Sequence, residues 1–105
     1  MEIFLSDCPI EMTIQFISDK WKVLIIAYLL LGNKRFNELK NCIGDISQSV
    51  LIRNLKALET SGLIKRMVYQ QVPPKVEYSL TDLGVSLKPI IDSMGIWGLN
   101  YKKVN

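Results

Sequence analysis

The stretch FNELKNCIGDISQSVLIRNLKALETSGLIKRMVYQQVPPKVEYSL, from Phe36 to Leu80, decides the fold. Phe36, Leu39 and Ile43 recur at helical spacing and mark a short helix. Gly44-Asp45 makes a tight turn. Ser47 is then the N-cap candidate of a second helix, whose buried stripe is Leu51, Leu55 and Leu58 and whose end is Ser61-Gly62. From Leu63 to Gln71 the residues turn to strand formers. Val76, Tyr78 and Leu80 alternate with Glu77 and Ser79, which predicts a half-buried returning strand. Val72-Pro73-Pro74 falls between the two strands, at a tip where proline's missing donors do no harm. Helix, turn, helix and hairpin in this order predict a winged helix-turn-helix within a mainly α chain, of the α+β kind.

Working outward, Asp7-Cys8-Pro9 reads as a helix start, because proline in the first turn loses no needed hydrogen bond. The first helix is expected from about Pro9 to Ile17. Ile10, Ile14 and Ile17 form its apolar stripe, with Phe16 available to a second surface. Asp19 is a good N-cap for the next helix, which continues through Trp21 to about Leu31 and stops at Gly32-Asn33. Lys34-Arg35 is a candidate for a very short strand. After the hairpin, Thr81-Asp82 starts a last helix with Leu83, Leu87, Ile90, Ile91, Met94, Trp97 and Tyr101 on its apolar face. Pro89 inside that pattern is expected to kink it.

A chain of 105 residues, 49% of them apolar, supplies one packed core. One domain over residues 1–105 is therefore expected, with a reading module at about 34–80 and terminal helices at about 9–17 and 81–102. The net charge of +3 is unevenly placed. Between Lys34 and Lys75 lie eight basic and three acidic residues, while the remainder carries five basic and seven acidic. The positive potential belongs to the reading module. Val23 to Leu31 is too short to cross a bilayer, which takes about 20 residues, and reads as a buried helix. Met1 to Asp7 lacks the features of a secretory signal, so a cytoplasmic location is expected, without membrane association.

Enzymatic chemistry finds little support. The chain has no histidine, no Cys-x-x-Cys pair and no phosphate-cradling glycine loop. Neither a metal nor a cofactor is expected. With the leucine stripe turned inward, about 100° per residue puts Ser49, Arg53 and Lys56 outward, flanked by Gln48 and Ile52. The start of the second helix of a helix-turn-helix enters the major groove. Gln48, Ser49, Ile52 and Arg53 are thus candidates for base edges, since arginine pairs with guanine, glutamine with adenine, and an aliphatic chain touches a thymine methyl. Lys56 is a candidate for phosphate, and Lys65, Arg66 and Lys75 of the wing are candidates to track the DNA backbone or enter the minor groove. The rival reading is a winged-helix module that binds protein or only dimerises.

Several segments together resemble one family. They are Cys8-Pro9, Lys20-Trp21-Lys22, Arg35-Phe36-Asn37-Glu38-Leu39, Ile46-Ser47, Gly62-Leu63-Ile64, Val72-Pro73-Pro74-Lys75-Val76-Glu77-Tyr78-Ser79-Leu80-Thr81 and Leu83-Gly84. From Cys8 to Trp97-Gly98 the chain resembles the HxlR-type transcriptional regulators, which are similar in plan to the MarR group. The resemblance implies a bacterial homodimer that binds double-stranded DNA at a palindromic operator and pairs through its first and last helices. Ile10, Ile14, Ile91, Met94, Trp97 and Tyr101 are the interface candidates. The apolar end of the last helix agrees, since one small core should not absorb it all.

Cys8 stands where the family has its Cys-Pro, and several members sense oxidants or electrophiles with that thiol. A helix N-terminus favours thiolate, whereas Asp7 opposes it. A small packing residue is the plain alternative. Cys42 is expected to be semi-buried near the end of the third helix. A sharper hypothesis joins Cys8 to Cys42 across the dimer on oxidation, which needs a Cα separation of about 4.4 to 6.8 Å. A small molecule or an oxidant is the candidate effector, with Phe16, Trp21 and Trp97 as candidate lining of a ligand pocket.

Overall fold

The computed structural model describes residues 8–104. Met1 to Asp7, on which the signal-peptide reading and the influence of Asp7 on Cys8 rest, lie outside the described residues. Six helices and one hairpin follow in the order α1 (Pro9–Ile17), α2 (Lys20–Leu30), α3 (Phe36–Ile43), α4 (Gln48–Thr60), β1 (Ile64–Tyr69), β2 (Lys75–Leu80), α5 (Asp82–Val85) and α6 (Lys88–Val104). Among them no helix is long and apolar enough to cross a membrane.

The central element is α2. It is apolar around most of its circumference, the pattern of a helix buried on several sides, and it touches α1, α3, α4, β2 and α6. Its start is set by Asp19, whose carboxylate accepts from the Trp21 and Lys22 amides at 2.8 and 3.3 Å. Ile25, Ile26 and Leu29 of α2 pack with Leu39, Ile46, Leu51, Leu55, Leu58, Leu63 and Ile64 to form the core. The Leu51, Leu55 and Leu58 stripe is therefore turned inward as its spacing predicts. Asn54 shares that buried side of α4, where its amide donates to the Val50 carbonyl at 2.9 Å.

The hairpin is antiparallel, with Ile64 opposite Leu80, Arg66 opposite Tyr78 and Tyr69 opposite Lys75. Lys34 supplies the expected strand fragment as a single bridge to Tyr78, through backbone hydrogen bonds of 3.0 and 2.7 Å. β2 is thus flanked on both edges. Only Ile64 of β1 is buried, so the rest of that strand projects as the wing.

Two expectations are corrected. Ser79, placed on the outer side of β2 by alternation, is buried at 7% exposure, and its hydroxyl has no partner. β2 packs among α2, α3 and α5, so at its C-terminal end both faces are covered and polarity no longer reports the inner one. The last helix is also not continuous from Thr81. It breaks at Ser86-Leu87 into α5 and α6. Proline inside one long helix would lose a hydrogen bond and clash with the preceding turn; by restarting at Lys88, the chain places Pro89 in a first turn, where its missing N–H costs nothing.

Candidate nucleic-acid interface

The helix-turn-helix is α3, a four-residue turn over 44–47, and α4. Gly44 takes a φ of 85° at the end of α3, a left-handed conformation that glycine adopts without a side-chain penalty. Ile46 then anchors the turn in the core. At the N-terminus of α3, Glu38 accepts from the Arg35 backbone N–H at 2.7 Å. Ser47 caps α4 by accepting from the Val50 amide at 3.2 Å, and its hydroxyl lies 3.4 Å from that of Ser49. These local devices set where α3 and α4 begin, and the buried Leu51, Leu55 and Leu58 fix the rotation of α4 about its axis.

That rotation leaves Gln48, Ser49, Ile52, Arg53 and Lys56 exposed together on the side away from the core. Ile52 keeps 43% of its surface. The ion pairs among the described residues are Lys75 with Glu77 and Lys88 with Asp92. Arg53, Lys56, Lys65 and Arg66 therefore keep their charges unneutralised by a carboxylate. Such a surface, its cations unpaired with carboxylates among the described residues and preceded by a turned helix, can take up phosphates and base edges.

The wing's three basic residues do not act alike. Successive strand residues point to opposite faces, so Lys65 and Arg66 cannot share one. Arg66 and its cross-strand partner Tyr78 face α4, where they line a groove of about 290 Å³ with Ile52, Leu55, Lys56 and Glu59. Lys65 stands opposite Ser79 on the other face. On that same face Lys75 is already engaged: its ammonium lies 3.5 Å from the Glu77 carboxylate and 5.0 Å from the centre of the Tyr69 ring. The part played by Tyr69 and Glu77 was not read from the sequence, although the Pro-Pro tip sets a pairing that brings them together.

The thiols are both free. Cys8 is half-buried at the N-cap of α1, and its carbonyl accepts from the Met12 amide at 2.9 Å. Cys42 is exposed rather than semi-buried. Leu39 occupies the core side of α3, with Phe36 and Ile43 packed beside it, and Cys42 falls to one side of that direction.

Of the interface candidates, Ile10, Ile14, Met94, Trp97 and Tyr101 are exposed, whereas Ile91 packs against the chain's own core. Trp97 stacks on Tyr101 with ring centres 5.2 Å apart. The three aromatics suggested as a ligand pocket do not meet in one. Phe16 lines an apolar cleft of about 260 Å³ between α1 and α5–α6, with Met12, Leu63 and Leu87 among its walls. Trp21 packs on the core beneath the Lys20 ammonium, and Trp97 faces outward from α6.

This geometry has relatives. YkvN of Bacillus subtilis (strain 168), an uncharacterized HTH-type transcriptional regulator, is 51% identical over 94 residues, which span 90% of this chain and 80% of that protein. The reduced form of the redox regulator HypR superposes with a TM-score of 0.86 at 44% identity, covering 91% of this chain and 95% of its own. For the reduced form of the transcriptional regulator YodB from B. subtilis the values are 0.79 and 37%, with 86% and 89% covered. The family described as HxlR-like helix-turn-helix matches residues 16–105. A match that takes in both the helix-turn-helix and the wing, on a fold of the same plan, makes this chain a member of the HxlR-like helix-turn-helix transcriptional regulators, which are not enzymes.

Proposed function

We propose that the protein is a homodimeric, sequence-specific DNA-binding regulator that reads a palindromic operator from the cytoplasm. The observation that carries this reading is the outward face of α4. Gln48, Ser49, Ile52 and Arg53 at its N-terminal half are free to meet base edges, and Lys56 with Arg66 and Lys65 is free to meet phosphates. Pairing through the exposed residues of α1 and α6 would set two such helices about 34 Å apart, one turn of DNA. In this arrangement residues 34–80 are the reading module and the terminal helices are the means of pairing.

A thiol response through Cys8 belongs to the same proposal. HypR is a redox regulator, and in this chain a half-buried thiol stands at the N-cap of α1. The exposed Cys42 is its candidate disulfide partner across a dimer.

DNA binding to the promoter beside the protein's own gene tests the reading. Wild type should bind specifically, with log affinity falling by about 0.9 per phosphate contact per log unit of salt. Arg53→Ala should weaken specific binding by about 1–3 kcal/mol. Diamide should release wild type but not Cys8→Ser. A folded dimer that binds no duplex at low salt would sink the proposal and favour the protein-interaction module.

A further inference from the structure

The wing carries a cluster that the reading surface does not use. Tyr69 and Lys75 are cross-strand partners on the last rung before the tip, and Glu77 lies on the same face two residues along β2. The Tyr69 hydroxyl donates to one carboxylate oxygen of Glu77 at 3.3 Å, and the Lys75 ammonium lies 3.5 Å from the other. The same ammonium sits 5.0 Å from the Tyr69 ring centre, within reach of a cation–π attraction. Each of the three groups thus holds the other two. Their withdrawal from solvent is marked: the Lys75 and Glu77 side chains are 29% and 19% exposed, against 56% and 51% for the Lys88 and Asp92 pair.

We infer that Lys75 is not a phosphate ligand but one arm of a clamp with Tyr69 and Glu77, and that Glu77 is a positioning residue of the wing. This rests on the DNA-binding reading given above. Two consequences bear on recognition. The clamp joins the two strands just below the Val72-Pro73-Pro74 tip, where β1 has no buried residue to hold it. It also cancels the Lys75 charge locally. The wing's uncompensated cations are then Arg66, on the face shared with α4, and Lys65. Glu77 decides how many positive groups the wing offers to a phosphate backbone, and so how strongly the protein holds DNA irrespective of sequence.

Salt titration of binding to a mixed-sequence duplex separates the roles, because the slope of log affinity against log salt counts phosphate contacts whatever the operator is. Arg66→Met should lower the slope by about 0.9 per protomer, roughly a 3.5-fold smaller change over a fourfold rise in salt. Lys75→Met combined with Glu77→Gln keeps the stem that covers Tyr69 and leaves no carboxylate unpaired. It should leave the slope at the wild-type value. Glu77→Gln frees the ammonium and should raise the slope by up to about 0.9. Circular dichroism establishes that each variant is folded. A slope that falls in the double variant as far as in Arg66→Met overturns the inference, as does an unchanged slope in Glu77→Gln alone. Failure of wild type to bind at any salt would instead remove the DNA reading itself.

Discussion

Gly84 has no room for a side chain. A Cβ built there would stand 2.1 Å from the Leu63 carbonyl oxygen and 3.0 Å from a Leu80 methyl. The approach is held by Thr81, whose amide donates to the Leu63 carbonyl at 3.0 Å and whose hydroxyl lies 2.6 Å from the Gly62 carbonyl and accepts from the Gly84 amide at 3.1 Å. One threonine thereby ties the start of α5 to the turn that follows α4. Gly84→Ala must push backbone against backbone, and we expect a loss of about 2–4 kcal/mol in urea unfolding. The Thr81 and Leu83-Gly84 positions were legible as part of a family pattern. Their reason was not, because the atom that excludes a Cβ lies on a residue about twenty positions earlier. Ser79 makes the same point: its polar side chain is buried, and packing from distant elements puts it there.

Helix limits are a different matter, because caps act within one turn. Asp19, Ser47 and Thr81 each accept an amide of the helix they precede. Asp19→Ala should cost about 1 kcal/mol and lower the melting temperature by about 4–8 °C for a domain of this size, read by thermal unfolding. The break between α5 and α6 escaped such reasoning. Apolar residues keep helical spacing from Leu83 to Tyr101, and periodicity cannot tell one kinked helix from two that share a direction. The site follows the same division. Exposure of Arg53 and Lys56 follows from the leucine stripe of their own helix, whereas the separation of Lys65, Arg66 and Lys75 follows from pairing with β2.

The whole chain is more extended than one domain of its length should be. Its radius of gyration is 15.5 Å, against about 13 Å for an ordinary domain of 100 residues. α6 contributes no fully buried residue and exposes 61% of Ile96, 66% of Trp97 and 62% of Leu99. On the proposed reading, this apolar surface is where a second copy pairs. Trp97→Glu should therefore yield a folded monomer by sedimentation, with helix content retained and affinity for a two-half-site duplex lost. A dimer that persists in this variant would place the interface elsewhere.

Taken by itself, the sequence determined the positions of the four helices from α1 to α4, the Asp19 and Ser47 caps, the inward leucines and the outward polar face of α4. Each of these depends on hydrogen bonds and spacings within a few residues of one another. Only the tertiary structure decided that Lys34 would join β2, that Ser79 would be covered, that Pro89 would open a helix instead of bending one, and that Glu77 and Tyr69 would hold Lys75. Those outcomes depend on which surfaces meet across the chain, and a side chain's burial and partners there are set by neighbours that its own stretch of sequence does not contain.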